Sequence, residues 1–335
     1  MKIAVIGASG NLGTALLRRL AKEDGVEVVG VSRRAPRPEG PYAGVAWHEI
    51  DVADADSRER LAPVLAGADA VVHLAWALQP NHDEHALWTT NVHGTAALLD
   101  AAADAGVPHV LVASSVGAYS PGPKSRRVDE SWPTGGLPAS HYSRHKAINE
   151  RRLDDFERRH PGTVLTRMRP GLVFQAGAAF EIARLFAGPL VPKRLLGRLR
   201  VPIVPLPTTL ISQVVHADDV AEAFWLAIQG RKGGAFNLAT EPVVTPAVLA
   251  GAVGGRPVPF RRAVLRAIMW ATWKARVQPS DPGWLDIATS VPVMSTERAR
   301  TELGWAPTVS AESALAELLE GLAGAHTVPA SPPLH

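Results

Sequence analysis

The chain opens with short apolar runs that alternate with segments whose apolar residues recur every three or four positions. The first apolar run covers residues 2–6, and a glycine turn then leads into a segment with Leu12, Leu16, Leu17 and Leu20. Short runs of this kind are typical of strands buried in a parallel sheet, and the wider spacing is typical of an amphipathic helix. The start of the chain therefore predicts a strand, a turn and a helix.

The alternation continues along the chain. Further strands are predicted at 26–31, 46–50, 70–74, 110–113, 164–169 and 235–238, and helices at 58–65, 88–105, 142–159, 218–228 and 311–322. This order favours an α/β fold with a doubly wound parallel sheet of the Rossmann type. We expect a dinucleotide-binding domain at 1–175 and a smaller substrate-binding region at 176–322. The second region is interleaved with returning sheet elements at about 214–240, and 323–335 is expected to be a flexible tail.

The composition excludes several classes of protein. The chain has no cysteine, and its 35 Lys and Arg residues exceed its 32 Asp and Glu residues by only three. Disulfides and thiolate metal sites are therefore excluded, and the charge excess is too small to indicate nucleic acid. No run of about 18 uncharged apolar residues is present. We expect a cytoplasmic protein without stable membrane insertion, although the basic stretch 185–201 leaves open a membrane-surface contact or a lid over the substrate.

A glycine-rich turn separates the first predicted strand from the first predicted helix. Gly7, Gly10 and Gly13 have the spacing G-x-x-G-x-x-G, with Ser9, Asn11 and Leu12 between them. Glycines at these points allow a tight turn, close approach of a pyrophosphate and close helix packing, and the helix N-terminus offers free N–H groups. The turn is therefore predicted to bind a dinucleotide phosphate.

The end of the second predicted strand indicates which dinucleotide is bound. The strand runs into Ser32, Arg33 and Arg34 rather than into an acidic residue that would bond a ribose 2′-hydroxyl. Guanidinium groups can hold a 2′-phosphate, so we predict NADP over NAD, with a solvated pair of arginines as the alternative. Asp51 and Val52 follow the next predicted strand and are expected at the adenine, unless Asp51 is only a helix cap.

Three polar residues are candidates for the reaction itself. Tyr142 and Lys146 are four residues apart in a predicted helix and therefore share one face. We expect Lys146 and the nicotinamide ring to lower the pKa of Tyr142 toward the working pH, as general acid–base catalysis requires. Ser115 follows the strand 110–113, at the sheet edge where ligands bind. The alternatives are a surface helical pair and a turn cap.

Taken together, these motifs resemble the extended short-chain dehydrogenase/reductase family, also described as the NAD-dependent epimerase/dehydratase family. The likeness extends through 73–75, 91–95, 115–119, 169–171, 215–221, 236–238 and 303–307. The resemblance implies hydride transfer, with Ser115, Tyr142 and Lys146 as a triad and Asn91 supporting the lysine through water. It also implies cofactor contacts and a possible homodimer; the contacts come from Leu74, Ala75, Trp76, Lys146, Pro170 and Val173.

Individual residues narrow the reaction within that family. Val116 and Gly117 follow Ser115 where the dehydratases of the family have carboxylates, which argues against elimination. The segment 208–215 has no arginine for a substrate diphosphate, although the basic residues Lys193, Arg194, Arg198 and Arg200 leave such a contact open. Expected substrate contacts are Trp76, Ser115, Val116 and Phe174, with Trp88 and Trp132 as further aromatic candidates unless these rings are core. No metal is expected, since His73, His82, His85 and His93 lie on separate elements.

The leading hypothesis is an oxidoreductase that uses NADPH to reduce a small or medium organic carbonyl compound, or that runs the reverse alcohol oxidation. The main alternative is a nucleotide-sugar epimerase, which would retain its oxidised cofactor. A second alternative is a dinucleotide-sensing protein without catalysis, because a fold alone does not determine function. Residues 178–215 and 260–292 are expected to determine the substrate.

Overall fold

A computed structural model describes residues 1–79, 82–175 and 202–324, with side chains up to residue 320. Its strands are β1 (Lys2–Ile6), β2 (Glu27–Ser32), β3 (Ala46–Glu49), β4 (Ala70–His73), β5 (His109–Ala113), β6 (Arg127–Val128), β7 (Val164–Pro170), β8 (Leu172–Phe174), β9 (Ile203–Leu206), β10 (Val214–His216), β11 (Gly234–Leu238), β12 (Arg256–Pro259) and β13 (Val293–Met294). Its helices are α1 (Asn11–Leu20), α2 (Ser57–Leu65), α3 (Glu84–Trp88), α4 (Gly94–Asp104), α5 (His141–Arg159), α6 (Ala217–Gln229), α7 (Pro246–Ala252), α8 (Arg262–Lys274), α9 (Gly283–Ser290), α10 (Glu297–Leu303) and α11 (Ala311–Gly324).

Seven parallel strands form the central sheet in the order β11-β7-β5-β4-β1-β2-β3. Strand β1 pairs with β2 on one side and with β4 on the other, so the direction of winding reverses beside β1. In an open parallel sheet a crevice for ligands forms at such a point, beyond the carboxyl ends of the strands. The predicted doubly wound Rossmann sheet is therefore confirmed, and it directs attention to the segments that follow β1, β4 and β5.

Apolar layers cover both faces of this sheet. Ile3 and Val5 face a core shared with α1 and α6, and Ala4 and Ile6 face a second core shared with α2, α4 and α5. Because successive strand residues point to opposite faces, a strand buried on both sides has apolar residues throughout. The continuous apolar runs in the sequence have this origin.

Smaller elements lie beyond the central sheet. Strand β8 pairs with β10, β9 pairs with β12, and β6 pairs with β13, each in parallel. Within the residues that the structure describes, no helix combines the length and apolarity needed to cross a bilayer. The predicted contacts of 185–201, including the four basic residues there, and most of the predicted tail lie outside the described residues.

Candidate active site

The glycine turn after β1 is a closely packed crossing of backbone segments. Gly7 has a φ of 82°, and a Cβ atom there would lie 2.6 Å from the Ala75 nitrogen in the turn after β4. A Cβ atom at Gly13 would lie 2.5 Å from the Ala8 carbonyl oxygen and closer still to that of Gly7. Side chains at these two positions would displace the backbone, so only glycine fits without rearrangement.

The first turn of α1 fits a dinucleotide phosphate. Gly10 is the N-cap residue, no side chain caps the helix, and no acidic residue lies in the first turn. The first N–H groups of the helix therefore have no side-chain partner and can donate to an anion. Gln175, which sequence reasoning missed, follows β8 and donates to the Asn11 carbonyl at 3.1 Å while accepting from Arg18 at 2.9 Å. The segment with Val173 is thereby attached to this turn.

The predicted adenosine-binding residues lie at the ends of β2 and β3. Ser32 is buried and donates to the Arg34 carbonyl at 2.7 Å, whereas the side chains of Arg33 and Arg34 are exposed. The carboxylate of Asp51 accepts from the Ala53 N–H at 3.0 Å, and Val52 is buried. Two guanidinium groups are thus available to an anion at this edge of the sheet.

The turn after β4 carries Trp76 into the crevice. The Leu74 N–H donates to the Ile6 carbonyl at 2.8 Å, which continues the sheet pairing toward Ala75. The side-chain amide of Asn91 accepts from the Ala77 N–H at 2.7 Å and donates to its carbonyl at 2.9 Å. In the structure, therefore, Asn91 holds the turn that positions Trp76, and the support of the lysine through water stays a prediction.

Ser115 and Tyr142 meet where β5 ends and α5 begins. The hydroxyl of Ser115 accepts from the Gly117 N–H at 3.0 Å. A Cβ atom at Gly117 would lie 2.8 Å from Cε1 of Tyr142 and 3.4 Å from Oγ of Ser115, so the two side chains are neighbours there. Ser140 caps α5 by accepting from the Ser143 N–H at 3.3 Å, and this fixes the first turn that carries Tyr142. The structure therefore brings together two hydroxyl groups that the sequence separates by 27 positions.

Lys146 lies one turn along α5 from Tyr142 and is only 5% exposed. Its Nζ donates to the Ala113 carbonyl at 2.8 Å and lies 3.5 Å from the centre of the Trp76 ring. The Trp76 and Tyr142 rings meet edge to face, with centroids 5.6 Å apart. The three predicted reaction residues and Trp76 thus form one cluster at the carboxyl ends of β4 and β5.

The pKa of Tyr142 departs from the sequence expectation. Burial raises the pKa of the Tyr142 phenol to about 12, and the hydrogen bond with Ser115 offsets this only in part. Burial also lowers the pKa of Lys146 to about 7, against the opposing effect of Glu150. The predicted lowering of the Tyr142 pKa is therefore wrong for the chain's own residues, because desolvation of the phenolate outweighs them.

A buried ionic network, which sequence reasoning missed, lies directly behind this cluster. Glu150, one turn after Lys146, is 1% exposed and accepts two hydrogen bonds from Arg169, at 2.9 and 2.8 Å. It also accepts from Ser114 at 2.5 Å. Arg169 donates to the Tyr119 hydroxyl at 3.0 Å, which continues the network toward β11. The network joins α5 to β5 and β7 beneath the reacting groups.

A cavity lies on the other side of Tyr142. The Trp284 ring of α9 packs on the Tyr142 ring with centroids 4.8 Å apart, and Trp284 and Val116 both line the cavity. Trp284, which sequence reasoning did not single out, lies in the predicted substrate region 260–292.

The other aromatic candidates lie elsewhere. Phe174 is a correction, since it packs in a separate core with Val214 and α11. Trp132 packs in the apolar cluster that includes Val116 and Tyr142. Trp88 donates to His93 and contacts His145.

The four histidines considered as metal ligands have separate surroundings. His73 bonds Thr95 at 3.0 Å, and burial lowers the pKa of its imidazole to about 3. The His82 ring stacks on Trp273. Across 1–79, 82–175 and 202–324, no three His, Asp or Glu side chains converge in a way that would hold a metal ion.

Comparisons with known proteins were made for the whole chain. The sequence profile of the NAD dependent epimerase/dehydratase family matches residues 3–239. An uncharacterised protein of Mycobacterium tuberculosis is 28% identical over 326 residues, and the chain spans only 30% of its length. A UDP-glucose 4-epimerase of Streptomyces lividans is 27% identical over 69% of this chain and 73% of its own length. A 4-hydroxy-2-methyl-3-oxo-4-farnesyl-3,4-dihydroquinoline-1-oxide ketoreductase of Stigmatella aurantiaca is 25% identical over 98% of this chain and 99% of its own.

Solved structures show the same fold. The UDP-glucose 4-epimerase of Thermus thermophilus, in complex with NAD, superposes with a TM-score of 0.69 at 23% identity. The match covers 97% of this chain and 100% of that one.

Proposed function

Because the chain belongs to the NAD dependent epimerase/dehydratase family, we propose that it is an oxidoreductase that reduces a carbonyl group, or oxidises the corresponding alcohol, with NADPH as the favoured cofactor. One observation carries this proposal: the side chains of Ser115 and Tyr142 lie together beside the buried Lys146, at the sheet edge that also holds the glycine turn. The 3-oxo compound in the name of the Stigmatella aurantiaca relative is consistent with a carbonyl substrate.

The chain's own residues provide the proton chemistry of this reaction. The glycine turn after β1 and Lys146 would hold the dinucleotide, which when bound would supply the hydride that the carbonyl carbon accepts. Tyr142 donates its proton to the carbonyl oxygen as that oxygen gains negative charge, and the Ser115 hydroxyl donates a hydrogen bond to the same oxygen. A phenol with a pKa of about 12 is protonated at neutral pH, which is the form that this step requires. Lys146 lies one turn away, where its charge favours the phenolate that is left until solvent returns a proton.

Replacing the phenol hydroxyl tests the proposal. Tyr142→Phe is expected to lower kcat/KM for carbonyl reduction by about 10²- to 10⁴-fold, the usual contribution of a positioned acid. The Kd of NADPH should stay within about threefold, since the ring is retained. Tyr42→Phe is the matched control, because it also removes a buried tyrosine hydroxyl. That hydroxyl bonds Thr14 of α1 at 2.9 Å and forms no hydrogen bond with Ser115. Full activity in Tyr142→Phe would contradict the proposed role, and retained biological activity with intact NADPH binding would favour the dinucleotide-sensing alternative.

The preference for NADPH is supported by the exposed Arg33 and Arg34 side chains after β2. A charge-assisted hydrogen bond contributes about 1.5–3 kcal/mol, so loss of one arginine is expected to weaken NADPH binding by about tenfold or more. Binding of NADH should not change, because it has no 2′-phosphate. Arg33→Ala and Arg34→Ala are compared with Arg37→Ala, an exposed arginine of the same loop. Tighter use of NADH by the wild-type protein would refute the assignment.

The epimerase alternative is favoured by one specific observation, the match to a UDP-glucose 4-epimerase over 69% of the chain. An epimerase returns the hydride to the same substrate and keeps its cofactor. Protein purified with tightly bound NAD, and without net NADPH oxidation on any carbonyl compound, would therefore support the epimerase and overturn the reductase.

A further inference from the structure

The cavity beside Tyr142 has an apolar lining. Its empty space, together with the adjoining open solvent, amounts to about 460 Å³. Its walls include Val116, Leu172, Ile211, Trp284, Ile287 and Val291. Val116 directly follows Ser115 in the chain, and Trp284 contacts the Tyr142 ring. The cavity therefore adjoins Ser115 and Tyr142 through these two neighbouring residues.

The Gln213 side chain and two backbone carbonyls at its walls have hydrogen-bond partners. The Gln213 side chain donates to the Met294 carbonyl at 3.1 Å and accepts from the Met294 N–H at 2.6 Å. The Lys124 ammonium group donates to the Ile211 carbonyl at 2.6 Å and to the Ala288 carbonyl at 3.0 Å. Of the described side chains that line the cavity, none carries a charge. Among these described residues, a diphosphate would lose its hydration without gaining a cation other than Lys124, whose ammonium group already donates to two carbonyls.

The same hydrogen bonds hold the cavity walls in place. Lys124 connects the segment at Ile211 to the end of α9 at Ala288, and Gln213 connects the segment before β10 to β13. Walls fixed in advance lose little conformational entropy when a ligand enters. The cavity is therefore suited to bind an apolar group without rearrangement.

We propose that this cavity binds an alkyl or aryl group of the substrate, and that the substrates are apolar ketones or the matching secondary alcohols rather than nucleoside diphosphate sugars. The proposal rests on the proposed function, which supplies the carbonyl chemistry at Tyr142. It assigns substrate selection to α9 and to the segment before β10.

A homologous series of ketones tests the proposal. The 2-alkanones from butanone to dodecanone share one reacting group and differ only in apolar length. Burial of a methylene group contributes enough to raise kcat/KM with NADPH by about fourfold per added carbon until the cavity is full. Binding of each 2-alkanone to the NADP-saturated protein, measured by titration calorimetry, gives the same series without turnover.

A cavity-filling variant makes the test specific to this site. Ala288 lines the cavity, and only its backbone carbonyl bonds Lys124. Ala288→Leu adds three carbons, so the rise in kcat/KM and in affinity should end about two to three methylenes earlier than in the wild-type protein. Ala267→Leu, on the exposed helix α8, is the matched control and should reproduce the wild-type series.

The outcomes separate this inference from the proposed function. Reduction of ketones without any dependence on chain length would overturn the apolar cavity and leave the reductase intact. Absence of reduction, together with binding that rises with chain length and is shortened by Ala288→Leu, would overturn the reductase and support the cavity. Binding of UDP-glucose more tightly than any 2-alkanone would overturn the substrate class.

Discussion

Neutralising the buried carboxylate of Glu150 is the sharpest test of how the site is supported. The side chain is 1% exposed and lies one turn after Lys146 on α5. Glu150→Gln keeps the shape of the side chain but removes its charge. The buried guanidinium group of Arg169 then loses its charged partner, although it can still donate to the amide oxygen.

The size of the effect follows from the contacts. Arg169 donates two charge-assisted hydrogen bonds to Glu150, and bonds to charged groups contribute about 1.5–3 kcal/mol each. Removing one partner of a buried ion pair destabilises proteins by about 3–5 kcal/mol, because the remaining charge is not compensated. Since the amide of Gln can retain one of the two bonds, we expect a loss in the free energy of unfolding of about 3 kcal/mol.

Equilibrium unfolding in urea, followed by tryptophan fluorescence, measures this loss. Glu157→Gln is the matched control on the same helix, because Glu157 bonds Arg167 at 2.9 Å but its side chain is 51% exposed. Arg167 keeps its contacts with Asp154 and Glu150 when Glu157 is neutralised, and the half-exposed Glu157 is solvated, so the control should be mild. If Glu150→Gln were as mild as Glu157→Gln, the view of this network as a main support of the site would be refuted.

Three further predictions follow from the same geometry. Burial raises the pKa of Glu150, but its interactions with Arg169, Ser114 and Arg167 together outweigh this and hold the pKa below its ordinary value of 4.5. The stabilisation from Glu150 is therefore present above pH 4.5 and is lost as the pH falls through the lowered pKa; urea titrations in acid should show this loss in the wild type and not in Glu150→Gln. Burial lowers the pKa of Lys146 to about 7, so Lys146 loses its charge as the pH rises, and kcat/KM for reduction should fall through about pH 7. Because Glu150 raises the pKa of Lys146, the fall should begin at a lower pH in Glu150→Gln. Gly13→Ala should weaken NADPH binding by at least about tenfold, because the backbone displacement that the new Cβ requires costs more than about 1.4 kcal/mol, the free energy of a tenfold change in Kd. Gly251→Ala, which has no atom near its Cβ position, should bind NADPH normally. Fluorescence titration measures both values of Kd.

The sequence predicted most of the central sheet, and the family that the motifs resembled is confirmed. The strands of this sheet carry long apolar runs because helices cover both faces, and such runs are visible without coordinates. The missed strands lie outside the central sheet and are two to four residues long: β6, β8, β9, β10, β12 and β13. Two of them, β9 and β12, contain prolines. Short strands at the margin of a fold lack the apolar periodicity on which prediction depends.

The site was predicted where a motif has a fixed local spacing and missed where distant segments meet. Tyr142 and Lys146 share a helix face by their spacing alone. Glu150 also shares that face, but its role depends on Arg169 from β7, which no local pattern reveals. The chain's own residues raise the pKa of Tyr142 rather than lower it for a related reason, since burial by Trp76 and Trp284 is a property of three segments together.

The division between these two kinds of residue bears on substrate assignment. The family profile matches residues 3–239, a range that holds the glycine turn, Ser115, Tyr142 and Lys146. Much of the apolar cavity comes from beyond that range, from α9 and the segment up to Val293. A relative can therefore match the reaction machinery while differing in the wall that faces the rest of the substrate. For this reason we derive the substrate class from the side chains of α9 rather than from the nucleotide sugars named for its structural neighbours, and Ala288→Leu tests that choice at the wall itself.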